Sequence, residues 1–249
     1  MSAVLLATLA SAPLLFAGEP AVSTHPQDPS LILVGFVGGF VRHDNPHQQP
    51  VLIAQRLRQS LGHDAFVQVF ENRHRRQAYQ TIVRLLDRNH DGFLSDQEKS
   101  QAHIVLFGHS WGASAAVILA RELARIDIPI LLTVQVDSVA KLWQHDAVIP
   151  DNVTAAVNFY QPHGLIHGRA RISAANSSKT EILGNYRYDY REQPVRCESM
   201  SWFDHLTPSH AQSECDPHLW SRVENLVRDH MEPGPGVVAK ISDQTHPSH

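Results

Sequence analysis

The chemistry of this chain starts at a serine between two glycines, Gly108-His109-Ser110-Trp111-Gly112. The spacing suits a sharp strand-to-helix turn that lifts a serine hydroxyl clear of a sheet. The helix N-terminus that follows then faces a developing oxyanion. So short a pattern recurs by chance, and its flanks decide. Residues 103–107 (HIVLF) read as a short apolar strand running into Gly108, and residues 113–124, rich in Ala and Leu, read as a helix. Such a serine attacks a carbonyl only when a base takes its proton and an acid orients that base. Seventeen histidines make composition a poor guide to the base.

A second cluster is rich in oxygen donors. Asp87-Arg88-Asn89-His90-Asp91-Gly92-Phe93-Leu94-Ser95-Asp96-Gln97-Glu98 resembles an EF-hand calcium loop. Asp87, Asn89 and Asp91 occupy positions 1, 3 and 5, and Gly92 the sharp turn. The Phe93 carbonyl serves position 7, Ser95 position 9 through water, and Glu98 is the bidentate twelfth ligand. The expectation is one structural Ca²⁺ without a pairing partner loop. It would lie between a helix over 72–86 and the strand that carries Ser110.

The elements that must position these groups alternate. Strands are expected over 31–37, 66–70, 103–107, 128–136 and 153–160, with a last one near 181–188. Continuous apolar runs such as LILVGFV suit strands buried on both faces of a parallel sheet. Helices are expected over 50–61, 72–86, 113–124 and 216–231, the last opened by Asp216-Pro217, an N-cap with proline behind it. The stretch 161–208 lacks periodicity and reads as loops, and 143–152 has room for a small cap. The fold class is α/β, a mainly parallel central sheet with helices on both faces.

Strand, elbow and helix together resemble the α/β-hydrolase superfamily, over about 31–231. The resemblance implies a serine esterase, lipase or thioesterase whose acid and histidine follow the serine in that order. Asp137 ends the next strand. Many members carry the acid one strand later, but residues 161–180 here contain no Asp or Glu, which favours Asp137, with Glu181 or Asp189 as replacements. The family's histidine lies just before the final helix, where His205 and His210 both fall. The six-residue spacing from His210 to the Asp216 helix start favours His210. The oxyanion donors are expected at the Trp111 amide and, after the first strand, at Gly39 or Phe40.

With 25 acidic against 21 basic side chains and a net charge of −4, no basic footprint argues for nucleic acid. No apolar run after the N-terminus is long enough for a membrane span. Residues 1–17 are apolar and uncharged, as the core of a secretory signal is, although no Lys or Arg precedes them and Leu15 is bulky for the −3 position. The expectation is a secreted or periplasmic protein. It would have one hydrolase domain over 18–231 and a disordered tail over 232–249, and Cys197 and Cys215 would be paired. The function expected is hydrolysis of a small-molecule ester or thioester. The alternatives are acyl transfer and a non-catalytic calcium-binding or adhesion domain on the same fold.

Overall fold

Leu31–Val37 (β1) is buried along its whole length, as its unbroken apolar sequence requires. It lies second from the edge of a six-stranded parallel sheet with Ala65–Glu71 (β2), Ile104–His109 (β3), Ile130–Val136 (β4), Val153–Tyr160 (β6) and Glu181–Arg187 (β8). The strand order is β2-β1-β3-β4-β6-β8, and every neighbouring pair is parallel. Val148–Ile149 (β5) and Ser173–Ala174 (β7) make a separate two-stranded parallel ribbon. The structure is a computed structural model and describes residues 31–197 and 205–231. The expected signal segment 1–17 and the tail 232–249 lie outside the described residues.

Parallel strands need crossovers, and the helices that supply them cover both faces. On one side Arg75–Leu86 (α2) and Trp111–Ala124 (α4) pack Ala78, Ile82, Ala116 and Leu119 against Ile32, Val34, Ile104 and Leu106. On the other side Gln49–Leu61 (α1) and Pro217–Asp229 (α6) pack Ile53, Leu57, Trp220 and Val223 against Leu33, Val105, Val134 and Phe159. Successive residues of each strand thus enter different cores, and the continuous apolar runs are the consequence. This is the architecture of an α/β-hydrolase-like fold.

Three expectations change. The helix expected from residue 72 begins with a tight turn at Asn72–His74 and becomes regular at Arg75. Residues 208–215, expected as loop, form an eight-residue helix, Pro208–Cys215 (α5), with proline in its first turn. Residues 143–152 hold no helical cap, only a loop ending in β5.

The crossing of β1 and α4 is the tightest joint. A Cβ placed on Gly112 would stand 2.4 Å from the Phe36 carbonyl oxygen, and one on Gly108 would stand 2.6 Å from the Gly112 carbonyl carbon. Both flanking glycines of the motif are therefore demanded by backbone-to-backbone approach. Gly112→Ala should cost about 2 kcal/mol or more through forced displacement of α4. Urea unfolding reads this, and unchanged stability would contradict the packing.

Candidate active site

Ser110 stands between the end of β3 and the start of α4 with φ 55° and ψ −125°. A non-glycine residue held there costs of order 1–3 kcal/mol, so the surroundings must enforce it. They do so through its own amide and carbonyl. The Ser110 N–H donates to the Val136 carbonyl at 2.9 Å, and the Ser110 carbonyl accepts from Ala113, Ser114 and Val139. Asp137, at the end of the neighbouring strand β4, is also left-handed, with φ 44°. Two adjacent parallel strands thus end in two sharply turned residues at the C-terminal end of the sheet.

His210, on the first turns of α5, bridges them. Its Nε2 lies 2.9 Å from Ser110 Oγ, and its Nδ1 lies 2.6 Å from Asp137 Oδ2. With Nδ1–H donated to the carboxylate, Nε2 is left as an acceptor facing the serine hydroxyl. His205 is exposed at the surface. Asp189 is engaged by His163 and Arg187, and Glu181 is exposed at the start of β8, the opposite end of the sheet. Of the candidates named from sequence, the structure brings Ser110, His210 and Asp137 together and leaves the replacements apart.

Asp137 is fully buried. Burial by itself opposes its ionisation. The hydrogen bond and charge of His210 outweigh that, with help from the Gln161 amide and His109, and hold the carboxyl below its usual range. Oδ1 accepts from the Gly168 amide at 2.5 Å and the Gln161 amide at 3.3 Å, and Oδ2 accepts from Gln161 Nε2 at 2.9 Å. A Cβ on Gly168 would sit 2.4 Å from Oδ1, so only glycine lets this amide close on the acid.

The α5 helix is anchored on several sides. Gln212 Oε1 accepts from Val195 N, Ser213 Oγ donates to the His210 carbonyl, and Trp220 Nε1 donates to the Ser213 carbonyl. Cys215 at its C-terminus is bonded to Cys197, as expected, with Cα atoms 5.5 Å apart. Asp216 then caps α6 through the amides of His218 and Leu219.

Sequence reasoning missed a buried network beneath the imidazole. His109 stacks on His210 with ring centroids 4.8 Å apart. Its Nδ1 is 2.9 Å from Glu214 Oε2 and its Nε2 is 3.0 Å from Ser213 Oγ. Burial alone would push the His109 imidazole down, but the Glu214 carboxylate outweighs burial and holds it above the usual range. The only early sign was His109 inside the motif itself. A second missed residue is Asn72, whose Nδ2 donates to the Gly39 carbonyl at 2.6 Å and whose Oδ1 accepts from Lys141 Nζ at 2.5 Å. It fixes the loop after β1, where Gly39 and Phe40 lie. Gly38 in that loop runs close to Ser110, since a Cβ on it would meet Ser110 Cβ at 2.9 Å. Trp111 opens α4, and its first-turn amide has no partner inside the helix.

The 87–98 loop is closed by its own amides. Asp87 accepts from Asp91 and Gly92, Asn89 from Asp91, Asp91 from Phe93, and Glu98 from Arg88 and Ser95. Ser95 and Glu98 also form a capping box on the short helix Asp96–Ser100 (α3), and Leu94 packs against the core. Among the described residues no group of three or more His, Cys, Asp or Glu side chains is placed to hold a metal ion. The donors are all oxygen, the chemistry Ca²⁺ prefers, and a carboxylate accepting one or two amide protons still has lone pairs to offer.

No protein-family model and no curated protein matches the chain. Among solved structures it is similar to a dienelactone hydrolase from Anabaena variabilis, at 12% identity over 82% of this chain and 87% of that one, with a TM-score of 0.40. It is also similar to an acetyl xylan esterase, at 10% identity over 82% and 99% of the two chains, with a TM-score of 0.36. A dienelactone hydrolase-like promiscuous phosphotriesterase from metagenomic libraries stands at 14% identity over 82% and 88%, with a TM-score of 0.34. These likenesses are distant, and the fold class rests on strand order and connection.

The folded state holds the His109 proton more tightly than the unfolded chain does. The Glu214 contact therefore adds stability below the ordinary imidazole value of 6.5 and loses it as pH rises through the raised one. Glu214→Gln should cost most stability near about pH 6 and progressively less toward about pH 9. Urea unfolding across that range reads it, and a pH-independent difference would contradict the ion pair.

Proposed function

We propose that the protein is a serine hydrolase that cleaves carboxylic esters or thioesters. One observation carries this reading, the unbroken chain of contacts from Ser110 Oγ through the His210 ring to Asp137 Oδ2. Ser110 Oγ attacks the substrate carbonyl as His210 Nε2 takes its proton. Asp137 holds the tautomer and stabilises the imidazolium that forms. The amides of Trp111 and Gly39 stabilise the oxyanion, the first aided by the N-terminus of α4. His210 then gives its proton to the departing alcohol or thiol, and water, deprotonated by the same ring, releases the acid. An acceptor alcohol in place of water would make the same site an acyltransferase.

A fluorophosphonate probe should label the wild-type protein at Ser110, and Ser110→Ala should abolish labelling and ester hydrolysis with stability within about 1 kcal/mol of wild type. Asp137→Asn should lower kcat by about 10⁴, because the amide favours the wrong imidazole tautomer. Absence of labelling in folded wild-type protein would instead favour a non-catalytic domain on this fold.

We further propose one structural Ca²⁺ at the 87–98 loop, held by Asp87, Asn89, Asp91, the Phe93 carbonyl, Ser95 and Glu98. It would tie α2 to β3 and take no part in the reaction. Millimolar calcium should raise Tm, and Glu98→Gln should remove most of that gain. Identical melting curves in calcium and in chelator would remove the ion from this account. A secreted or periplasmic location fits the Cys197–Cys215 disulfide, and no helix of the described residues is long and apolar enough to cross a membrane.

A further inference from the structure

The two loops that flank the acid carry an unusual surface. Loop 138–147 follows β4 and loop 161–172 follows β6, so both rise from the C-terminal end of the sheet, which holds Ser110. They are tied to each other, since the Arg169 amide donates to the Ser138 carbonyl at 3.2 Å and its guanidinium pairs with Asp146. Large apolar side chains stand out from them into solvent: Leu142 is 81% exposed, Trp143 88% and Leu165 94%. The neighbouring loop after β1 adds Phe40, itself 81% exposed and edge-on to Trp111 at 5.3 Å. Lys141 lies over the other ring of that pair, 4.8 Å from the Trp111 centroid. The apolar residues therefore continue up to the residue after the nucleophile.

The charge on the same loops has one sign. Beyond Asp137 they carry a single acid, Asp146, which is fully buried against Ser138 and Arg169. The charged side chains they offer to solvent are basic, Lys141, Arg169 and Arg171, and of these Arg169 is paired with Asp146. Between the loops lies a cavity of about 530 Å³ lined by Tyr160, His167, Arg169 and Arg171, again with no acid. This stands on a chain whose net charge is −4. Protruding Trp and Leu beside Lys and Arg, on one end of an acidic protein, match a surface that is apolar just below an anionic layer.

We propose that loops 138–147 and 161–172 dock this protein on an anionic lipid–water surface. Leu142, Trp143 and Leu165 enter the acyl boundary, and Lys141 and Arg171 face the headgroups, one of which fits the cavity between the loops. Resting on the reading of Ser110 as nucleophile, this docking names the substrate class as esters presented at such a surface. The three apolar side chains would then lose their contact with water, which is the driving force, and the basic ones would make the attachment dependent on lipid charge and on salt.

The test uses the full chain and vesicles of phosphatidylcholine with or without phosphatidylglycerol, read by co-sedimentation. The wild-type protein should bind the mixed vesicles about tenfold or more tightly than phosphatidylcholine alone, with affinity falling as salt rises. The triple variant Leu142→Ser, Trp143→Ser, Leu165→Ser should lose about tenfold or more of that affinity. Arg171→Glu, exposed and outside the triad, should reduce the preference for the anionic lipid. Both variants should hydrolyse a soluble short-chain ester at the wild-type rate. Equal binding to the two vesicle types overturns the proposal, as does wild-type affinity in the triple variant. A wild-type dimer that the triple variant turns into a monomer also overturns it, by assigning the patch to a second copy. Vesicle binding by folded protein whose Ser110 takes no fluorophosphonate, in solution or on vesicles, would sustain the docking and overturn the nucleophile instead, so the two failures are distinct.

Discussion

One buried carboxylate gathers the site. Asp137 has no solvent to stabilise its charge, and an uncompensated ion in that position would cost several kcal/mol. Its compensation comes from two separate parts of the chain: the loop after β6, through the amide and side chain of Gln161 and the amide of Gly168, and α5, through the imidazole of His210. The requirement to satisfy this one group therefore fixes how the loop after β6 folds back and where α5 must dock. Ser110 is reached only through that arrangement, because the ring that meets its hydroxyl is the ring that Asp137 orients. Removing the charge would loosen that loop and that helix together.

What could be read beforehand follows from the range of the forces. The sheet and its covering helices were legible because apolar periodicity is local, and β1, β3, α4 and α6 fall close to the expected bounds. The Ser110 turn was legible because its glycines are required by backbone approach within a few residues. The choice of Asp137 needed elimination, since nothing near residue 137 announces which carboxylate a histidine 73 positions away will meet. α5 was missed for a physical reason. An eight-residue helix is too short to show a face, and this one is held by Trp220, Gln212 and the disulfide rather than by its own propensity. His109, Ser213 and Glu214 went unseen for the same reason, because they meet only once α5 is in place.

The 87–98 loop shows how two signals share residues. The spacing that places Ser95 and Glu98 at calcium positions 9 and 12 is also the three-residue spacing of a capping box, and the structure contains that box. Ser95 and Glu98 would thus recur at this spacing for the sake of α3 alone. The remaining weight for the ion falls on Asp87, Asn89 and Asp91, whose alternation has no role in a cap.

The long separation between Ser110 and His210 has a consequence for assembly. Ser110 and His210 are 100 residues apart, whereas the contacts that hold the Ser110 turn come from β1, β4, α4 and Val139, all within residues 31–139. Contacts that close so long a loop form late, after the local strand–helix units have reduced the entropy of closure. A chain emerging from synthesis would hold the Ser110 turn before the residues of α5 exist to meet it. The contact between Ser110 and the His210 ring is then among the last to form, after α5 and α6 have seated.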